Sequence, residues 1–295
     1  MNVSPTTSHD KGTGRDTVVT RTRARLYDPV VMRFTTLDPL AEKYYPTSPY
    51  AYCQNDPLSY IDEDGNDRVY VNGALQIVRV VAERGNPNIR VYGYHGIAKG
   101  TDFASIKFGG PGSSFSNRQL VANICGYYAS TMGVNKVGAA ARNYYGDNVT
   151  AYWYQKDGYI YMQPGLDGTA NDLMKNKFNL MNTLYHESLH QREGTLKSGL
   201  VGHAKIYLKS MIHSSFKNTT FDYKTSQIAS FCSYLSAITK HGNAKIARTL
   251  MNQFNRSGLG FSIRYKAKEN VYQFSDGNTT MEPQGCDNEG VYNIN

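Results

Sequence analysis

The stretch 169-TANDLMKNKFNLMNTLYHESLHQREG-194 decides the fold of the C-terminal part of the chain. Its apolar residues recur at intervals of three or four positions, at Met174, Phe178, Met181, Tyr185 and Leu189. That spacing puts one apolar face on an α-helix. Thr169 or Asn171 is a suitable N-terminal cap, and Gly194 is a suitable stop. The sequence therefore predicts one long helix that runs to about Gln191.

The last turns of this predicted helix carry an HExxH motif, formed by His186, Glu187 and His190. Residues at i and i+4 of a helix share a face, so both imidazoles can bind one Zn²⁺ ion. Glu187 lies beside the first imidazole, where its carboxylate can accept a proton from the attacking water. We therefore expect His186 and His190 to be zinc ligands and Glu187 to be the catalytic base.

A short strand predicted at Tyr159–Met162 precedes the motif helix. This strand-then-helix order, together with the HExxH motif, resembles zinc-dependent metallopeptidases of the zincin class. The resemblance implies an α+β fold in which the active-site helix packs on a small sheet. It also implies hydrolysis of a protein or peptide substrate. We expect the Tyr159–Met162 strand to hold an extended substrate by strand addition.

A third zinc ligand is needed, because catalytic zinc sites use three protein ligands and leave one position open. His203 opens the next predicted helix and is the favoured candidate, with Glu193 and Asp222 as alternatives. Three ligands on one straight helix would span about 10 Å, which disfavours Glu193. Gly194 stands one position late for the longer pattern HExxHxxGxxH, and no histidine closes that pattern. Tyr207, one turn after His203, either faces the site or packs in the core.

The composition excludes several classes of protein. Hydrophobic residues make up 40 % of the 295 residues and charged residues 19 %, a balance that disordered chains lack. No apolar run approaches the roughly 20 residues of a membrane span, and we expect no secretory signal at the N-terminus. The four cysteines contain no CxxC pair, which excludes a cysteine-cluster metal site.

Charge is unevenly distributed along the chain. Residues 1–64 hold 7 Lys/Arg and 9 Asp/Glu, whereas the remainder holds 25 and 15 and so carries a net charge of +10. A net positive charge in this part of the chain favours anionic partners, although no block of five or more Lys/Arg is present. Binding to nucleic acid is therefore not excluded.

Before Gly65 the chain is rich in Pro, Asp and Tyr, with strand-like pieces at 24–27, 33–36, 50–53 and 60–62. It carries an ordered run of motifs: Arg25-Leu26-Tyr27-Asp28-Pro29, Arg33-Phe34, Asp38-Pro39-Leu40-Ala41-Glu42-Lys43-Tyr44-Tyr45-Pro46, Ser48-Pro49-Tyr50-Ala51-Tyr52, Asn55-Asp56-Pro57 and Ile61-Asp62-Glu63-Asp64-Gly65. Over about residues 20–65 this run closely resembles the C-terminal end of the RHS/YD-repeat-associated core domain. The resemblance implies that residues 1–66 are a short β-rich remnant of an RHS core, and that residues 67–295 are its toxin or effector domain.

Taken together, these patterns predict a zinc-dependent metallopeptidase that acts as the C-terminal toxin of an RHS-type polymorphic toxin. The resemblance further implies delivery to a target cell within a larger exported protein, and a cognate immunity protein as partner. Two alternatives stay open: an RHS-linked nuclease acting on nucleic acid, and a non-catalytic binding module with a degenerate site.

Further elements are predicted around the motif helix. Strands are expected at 68–71, 75–82 and 89–94, and a hairpin at 149–154 and 159–162 around the turn Lys156-Asp157-Gly158. Helices are expected at 117–132, 202–215 and 225–240, followed by strand-like pieces from Phe261.

Overall fold

The structure is a computed structural model that describes residues 67–82, 87–93, 96–146, 149–194 and 199–283, together with the backbone of four strands before residue 35. The chain divides into two compact units, Met1–Gly65 and Asn66–Asn295. The domains expected at 1–66 and 67–295 stay a prediction as far as independent folding and function are concerned.

The described part of the first unit consists of four antiparallel strands in chain order. They are β1 (Pro5–His9), β2 (Asp16–Arg21), β3 (Leu26–Asp28) and β4 (Arg33–Phe34). The strand-like pieces at 24–27 and 33–36 overlap β3 and β4. Those at 50–53 and 60–62, like the motifs after Phe34 that carry the RHS resemblance, lie outside the described residues.

The second unit opens with a four-stranded sheet in the order β6-β5-β7-β8. Its strands are β5 (Asp67–Val71), β6 (Ile77–Val81), β7 (Ile89–Tyr92) and β8 (Thr101–Asp102). The two central strands, β5 and β7, are parallel, and the outer pairs are antiparallel. Val69, Ile89 and Val91 are fully buried, which explains why the Val- and Ile-rich runs were recognisable as strands.

Helix α1 (Phe115–Ser130) follows this sheet and lies within two residues of the helix predicted at 117–132. The Ser114 hydroxyl accepts a hydrogen bond from the Asn117 amide and caps its N-terminus. Its buried stripe includes Leu120 and Ile124, both fully inaccessible to solvent.

A three-stranded sheet, β10-β11-β9, comes next. It consists of β9 (Val137–Ala139), β10 (Ala151–Tyr154) and β11 (Tyr159–Met162). Strands β10 and β11 form the predicted antiparallel hairpin, while β9 pairs with β11 in parallel. Both edges of β11 are therefore occupied, so the expectation that Tyr159–Met162 takes up a substrate strand is wrong. Strand β10 is an outer strand of the described sheet.

Helix α2 (Lys177–Glu193) carries the HExxH motif and begins later than the sequence indicates. Asn171 caps a separate 3₁₀ turn, Asp172–Lys175. The Asn176 side chain then caps α2 by accepting hydrogen bonds from the backbone amides of Phe178 and Asn179. Two asparagines with the same capping chemistry lie five residues apart, and the second one starts the helix.

Three more helices follow: α3 (Gly199–Ile212), α4 (Phe221–Lys240) and α5 (Ala244–Asn255). The first two agree with the helices predicted at 202–215 and 225–240 apart from their ends, and α5 was not predicted. Strands β12 (Ser262–Lys266), β13 (Val271–Ser275) and β14 (Thr280–Met281) form an antiparallel sheet at the end of the described chain. The fold is thus α+β, as predicted. Among the described residues, no helix has the length and apolar character needed to cross a membrane.

Candidate metal centre

Helices α2 and α3 bring three histidines to one point. His186 and His190 lie one turn apart on α2, and His203 lies in the second turn of α3. One ring nitrogen from each lies within 4.8 Å of the other two. The ring centroids are 5.2 Å apart for His186 and His190, and 4.5 Å apart for His190 and His203. The HExxH spacing, with His203 as the favoured third ligand, predicts that these three side chains come together.

Gly194 lets the chain leave α2 directly after the motif. Its φ of 60° is in the left-handed region, and its amide donates to the His190 carbonyl oxygen at 2.9 Å. This is a helix C-cap that a residue with a Cβ adopts only with strain. The helix therefore ends one turn beyond His190, and α3 starts within five residues.

Asn182 fixes α3 against α2. Its side-chain amide donates to the Ser210 carbonyl oxygen and to the Ser215 hydroxyl, both at 2.9 Å. Its side-chain oxygen accepts from the Tyr223 hydroxyl of α4 at 3.2 Å. Asn182 is fully buried and lies one turn before His186, so its hydrogen bonds align the faces of α2 and α3 that carry the histidines.

The environment keeps all three imidazoles neutral. Burial, together with the neighbouring His190 and His203, holds the pKa of His186 well below its usual value. Burial and the nearby His203 lower the pKa of His190 to about 3, and burial lowers the pKa of His203 to about 4. A neutral imidazole has a free lone pair, which is the form that binds a metal ion.

Glu187 follows His186 on α2 and is hydrogen-bonded to the hairpin sheet. Its Oε2 atom accepts a hydrogen bond from the backbone amide of Trp153, in β10, at 3.1 Å. Burial raises the pKa of Glu187 to about 8, against the opposing effect of this hydrogen bond. A half-buried carboxyl with a raised pKa is suited to accept and return a proton near neutral pH.

Three side chains from α3 and α4 surround the cluster. The Ser210 hydroxyl lies 3.3 Å from Nδ1 of His186, and the Tyr234 hydroxyl lies 3.3 Å from Nδ1 of His203. The Tyr207 ring centroid is 4.6 Å from that of His186, so Tyr207 faces the cluster. Sequence reasoning missed Ser210 and Tyr234. Ser210 was recoverable, because positions 203, 207 and 210 share one helical face, whereas Tyr234 reaches His203 only through tertiary packing.

The alternative third ligands lie elsewhere. Glu193 is exposed, and its Oε1 atom forms an ion pair with Lys209 at 2.5 Å. Asp222 is an exposed residue in the first turn of α4. Within the part of the chain that the structure describes, the only cluster of metal-ligating side chains is His186, His190 and His203.

The other described histidines of the second unit do not belong to the cluster. His213 caps a 3₁₀ turn and stacks on Tyr185 with ring centroids 3.6 Å apart. His241 is exposed after the end of α4, and His95 lies outside the described residues. Cys125 and Cys232 are buried free thiols on α1 and α4.

The donor set fits a catalytic metal ion. Three neutral imidazoles on two helices match the three-ligand pattern of catalytic zinc, which keeps one coordination position open. The adjacent Glu187 carboxyl is a suitable proton acceptor beside such an ion. Nitrogen donors also exclude calcium and magnesium as preferred ions, because these ions select oxygen ligands.

Comparison with known proteins also indicates a metal-dependent enzyme. Residues 69–257, more than half of the chain, match the family model described as metallopeptidase toxin 2. The matched range includes the motif helix and all three clustered histidines. No curated protein and no solved structure matches the chain.

Proposed function

The chain belongs to the metallopeptidase toxin 2 family and is therefore a hydrolase; from this premise we propose that it is a zinc-dependent peptidase of zincin type. In this proposal His186, His190 and His203 hold the ion, and Glu187 is the general base. The observation that carries the proposal is the convergence of three histidine ring nitrogens within 4.8 Å, next to a carboxylate on the same helix.

A zinc ion held by three imidazoles supplies Lewis acidity, which polarises a scissile carbonyl and makes water easier to deprotonate. Glu187 accepts the proton of the attacking water on its carboxylate and later returns it to the leaving amine. The Trp153 amide holds this carboxylate in place at 3.1 Å. The aromatic rings of Tyr207 and Tyr234 pack against His186 and His203, respectively, which limits the orientations open to the two imidazoles.

We propose a protein or peptide substrate that lies in extended form along β10. This strand is an outer strand of the described sheet, and it already contacts the proposed base through Trp153. Backbone groups at a sheet edge can pair with an extended peptide, so β10 replaces β11 as the expected substrate-binding strand.

The toxin context is proposed from the family and from the RHS-like motifs before Gly65. In this context residues 1–66 are the end of an RHS core, and the peptidase is carried to a target cell as part of a larger exported protein. Such a toxin needs a cognate immunity protein in the producing cell.

The test measures zinc content and peptidase activity on the same purified protein. We expect one zinc per chain, cleavage of an unfolded protein substrate, and loss of cleavage after chelation with recovery on adding zinc. A phosphodiesterase assay on single- and double-stranded nucleic acid runs in parallel. Zinc-independent cleavage of nucleic acid without peptidase activity would establish the nuclease alternative, and absence of both activities would favour a binding module.

A further inference from the structure

Ser210 of α3 lies beside the His186 ring. Its Oγ atom lies 3.3 Å from His186 Nδ1 and 2.9 Å from the Tyr207 carbonyl oxygen. Ser210 is fully buried and His186 is 7 % exposed, so water does not compete freely for these contacts. The serine hydroxyl has a single proton to donate to one of these two groups.

The two contacts of Ser210 Oγ differ in what the partner atom can do. A carbonyl oxygen only accepts, so the 2.9 Å contact with Tyr207 requires the serine to donate. That bond is the shorter of the two contacts and uses the only O–H of Ser210. The serine oxygen can then meet His186 Nδ1 only as an acceptor. His186 Nδ1 must therefore carry the imidazole proton, and Nε2 is left with the free lone pair.

We propose that Ser210 is a positioning residue that holds His186 as the Nδ1–H tautomer and so prepares Nε2 for the metal ion. The proposal rests on the proposed function, because it assigns the ligand atom of a proposed zinc ligand. A ligating histidine commonly donates its other ring N–H to an outer partner, which fixes both the tautomer and the orientation of the ring. In this chain the partner is the hydroxyl of a helical serine.

Asn182 keeps Ser210 in register with His186. The side-chain amide of Asn182 donates a hydrogen bond to the Ser210 carbonyl oxygen, and this bond joins α2 and α3 at this position. The histidine and its hydroxyl partner therefore sit on opposite helices that a buried asparagine ties together. The tautomer is thus set by the fold before any ion binds.

His203 also has a hydroxyl beside its Nδ1 atom, which Tyr234 of α4 supplies. The Tyr234 hydroxyl contacts His203 Nδ1 at 3.3 Å, and the two rings stack with centroids 4.8 Å apart. A His203 ring that donates from Nδ1 to this hydroxyl presents the lone pair of Nε2 to the ion. The two residues give separate tests, because the Ser210 hydroxyl lies beside Nδ1 of His186 and the Tyr234 hydroxyl lies beside Nδ1 of His203.

The first readout is the tautomer in the metal-free, full-length protein, measured by ¹⁵N NMR of the histidine rings at neutral pH. We expect His186 to be mainly Nδ1–H in the wild type and to gain the Nε2–H form in Ser210→Ala. Alanine favours the helix and removes only the hydroxyl, so the variant is expected to fold. In Tyr234→Phe, which keeps the ring stack, the change should appear at His203 and not at His186.

The second readout is zinc affinity by competition with a chelating dye. We expect Ser210→Ala to weaken zinc binding about 10- to 100-fold, the range found when outer partners of metal ligands are removed. The matched control is Ser233→Ala on α4, which loses a similar bond from serine to a helix carbonyl and contacts no imidazole in the cluster. Its tautomers and affinity should equal those of the wild type.

An unchanged His186 tautomer together with unchanged zinc affinity in Ser210→Ala would overturn the proposal and leave the zinc peptidase intact. A wild-type protein that shows the Nδ1–H tautomer but binds no zinc would support the role of Ser210 on the ring and overturn the proposed function. The two failures are therefore distinguishable.

Discussion

Oε2 of Glu187 accepts the backbone N–H of Trp153 at 3.1 Å, which joins the motif helix to the first strand of the hairpin. The donor is a main-chain N–H, so among substitutions of Trp153 only proline removes it directly. It fixes one carboxylate oxygen, and the other stays available for proton transfer. This relationship explains how a flexible glutamate is held in a single orientation next to the histidines.

The first prediction follows from that bond. Glu187→Gln should keep zinc bound, because the amide has the same shape and its oxygen can still accept the Trp153 N–H. Hydrolysis of a peptide should fall by about 10²- to 10⁴-fold, the usual contribution of a general base. Turnover and zinc content are measured on the same preparation. If Glu187→Gln kept near wild-type turnover, Glu187 would not be the general base.

The second prediction concerns the third ligand. His203→Ala should lose most of its zinc during dialysis against a weak chelator, because two imidazoles remain where three held the ion. Glu193→Ala and Asp222→Ala should retain zinc, since Glu193 pairs with Lys209 and Asp222 is exposed on α4. Loss of zinc in Glu193→Ala or Asp222→Ala, with retention in His203→Ala, would reverse the assignment.

The sequence predicted the parts of the site that depend on local spacing. The i, i+4 relation of His186 and His190 needs only a helix, and the turn at residues 156–158 predicts the hairpin without further information. The central position of β11 was not predictable, because it depends on parallel pairing with the three-residue strand Val137–Ala139. A strand that short has no periodic pattern of its own.

Tertiary contacts explain the other differences between expectation and structure. His203 follows His190 by thirteen residues, and only the packing of α3 on α2 brings the two rings to 4.5 Å. Helix α5 is an exception, because its buried residues Ala247, Leu250 and Phe254 recur at intervals of three and four positions, so the local pattern indicates a helix that the prediction missed. The partner of His203, Tyr234, comes from a helix 31 residues further along the chain.

The third prediction is that residues 66–295 fold without the preceding unit. The division into Met1–Gly65 and Asn66–Asn295 leaves the clustered histidines and Glu187 within one unit. The recombinant fragment should unfold in one cooperative step and bind one zinc, as measured by denaturant titration and metal analysis. Limited proteolysis of the full chain near residues 65–67 should yield the same fragment. Aggregation or non-cooperative unfolding of the fragment would contradict the two-part organisation.

The fourth prediction concerns Asp67, the first residue of β5, which is 1 % exposed. Its Oδ1 atom pairs with Lys177 Nζ at 2.7 Å, and its Oδ2 atom accepts from the Tyr128 hydroxyl at 3.1 Å. Lys177 is the first residue of α2, so this ion pair anchors the start of the motif helix to the first sheet of the unit. Removing one partner of a buried pair leaves the other charge without compensation.

Asp67→Ala should therefore lower the free energy of unfolding by about 3 kcal/mol, measured by denaturant titration. Replacing both partners, as in Asp67→Ala with Lys177→Met, should cost less than Asp67→Ala alone, because no buried charge is then left without a partner. The matched control is Lys175→Ala, which breaks an exposed pair with Asp172 and should cost less than about 1 kcal/mol. If Asp67→Ala cost no more than this control, the buried pair would not be what anchors α2 to β5.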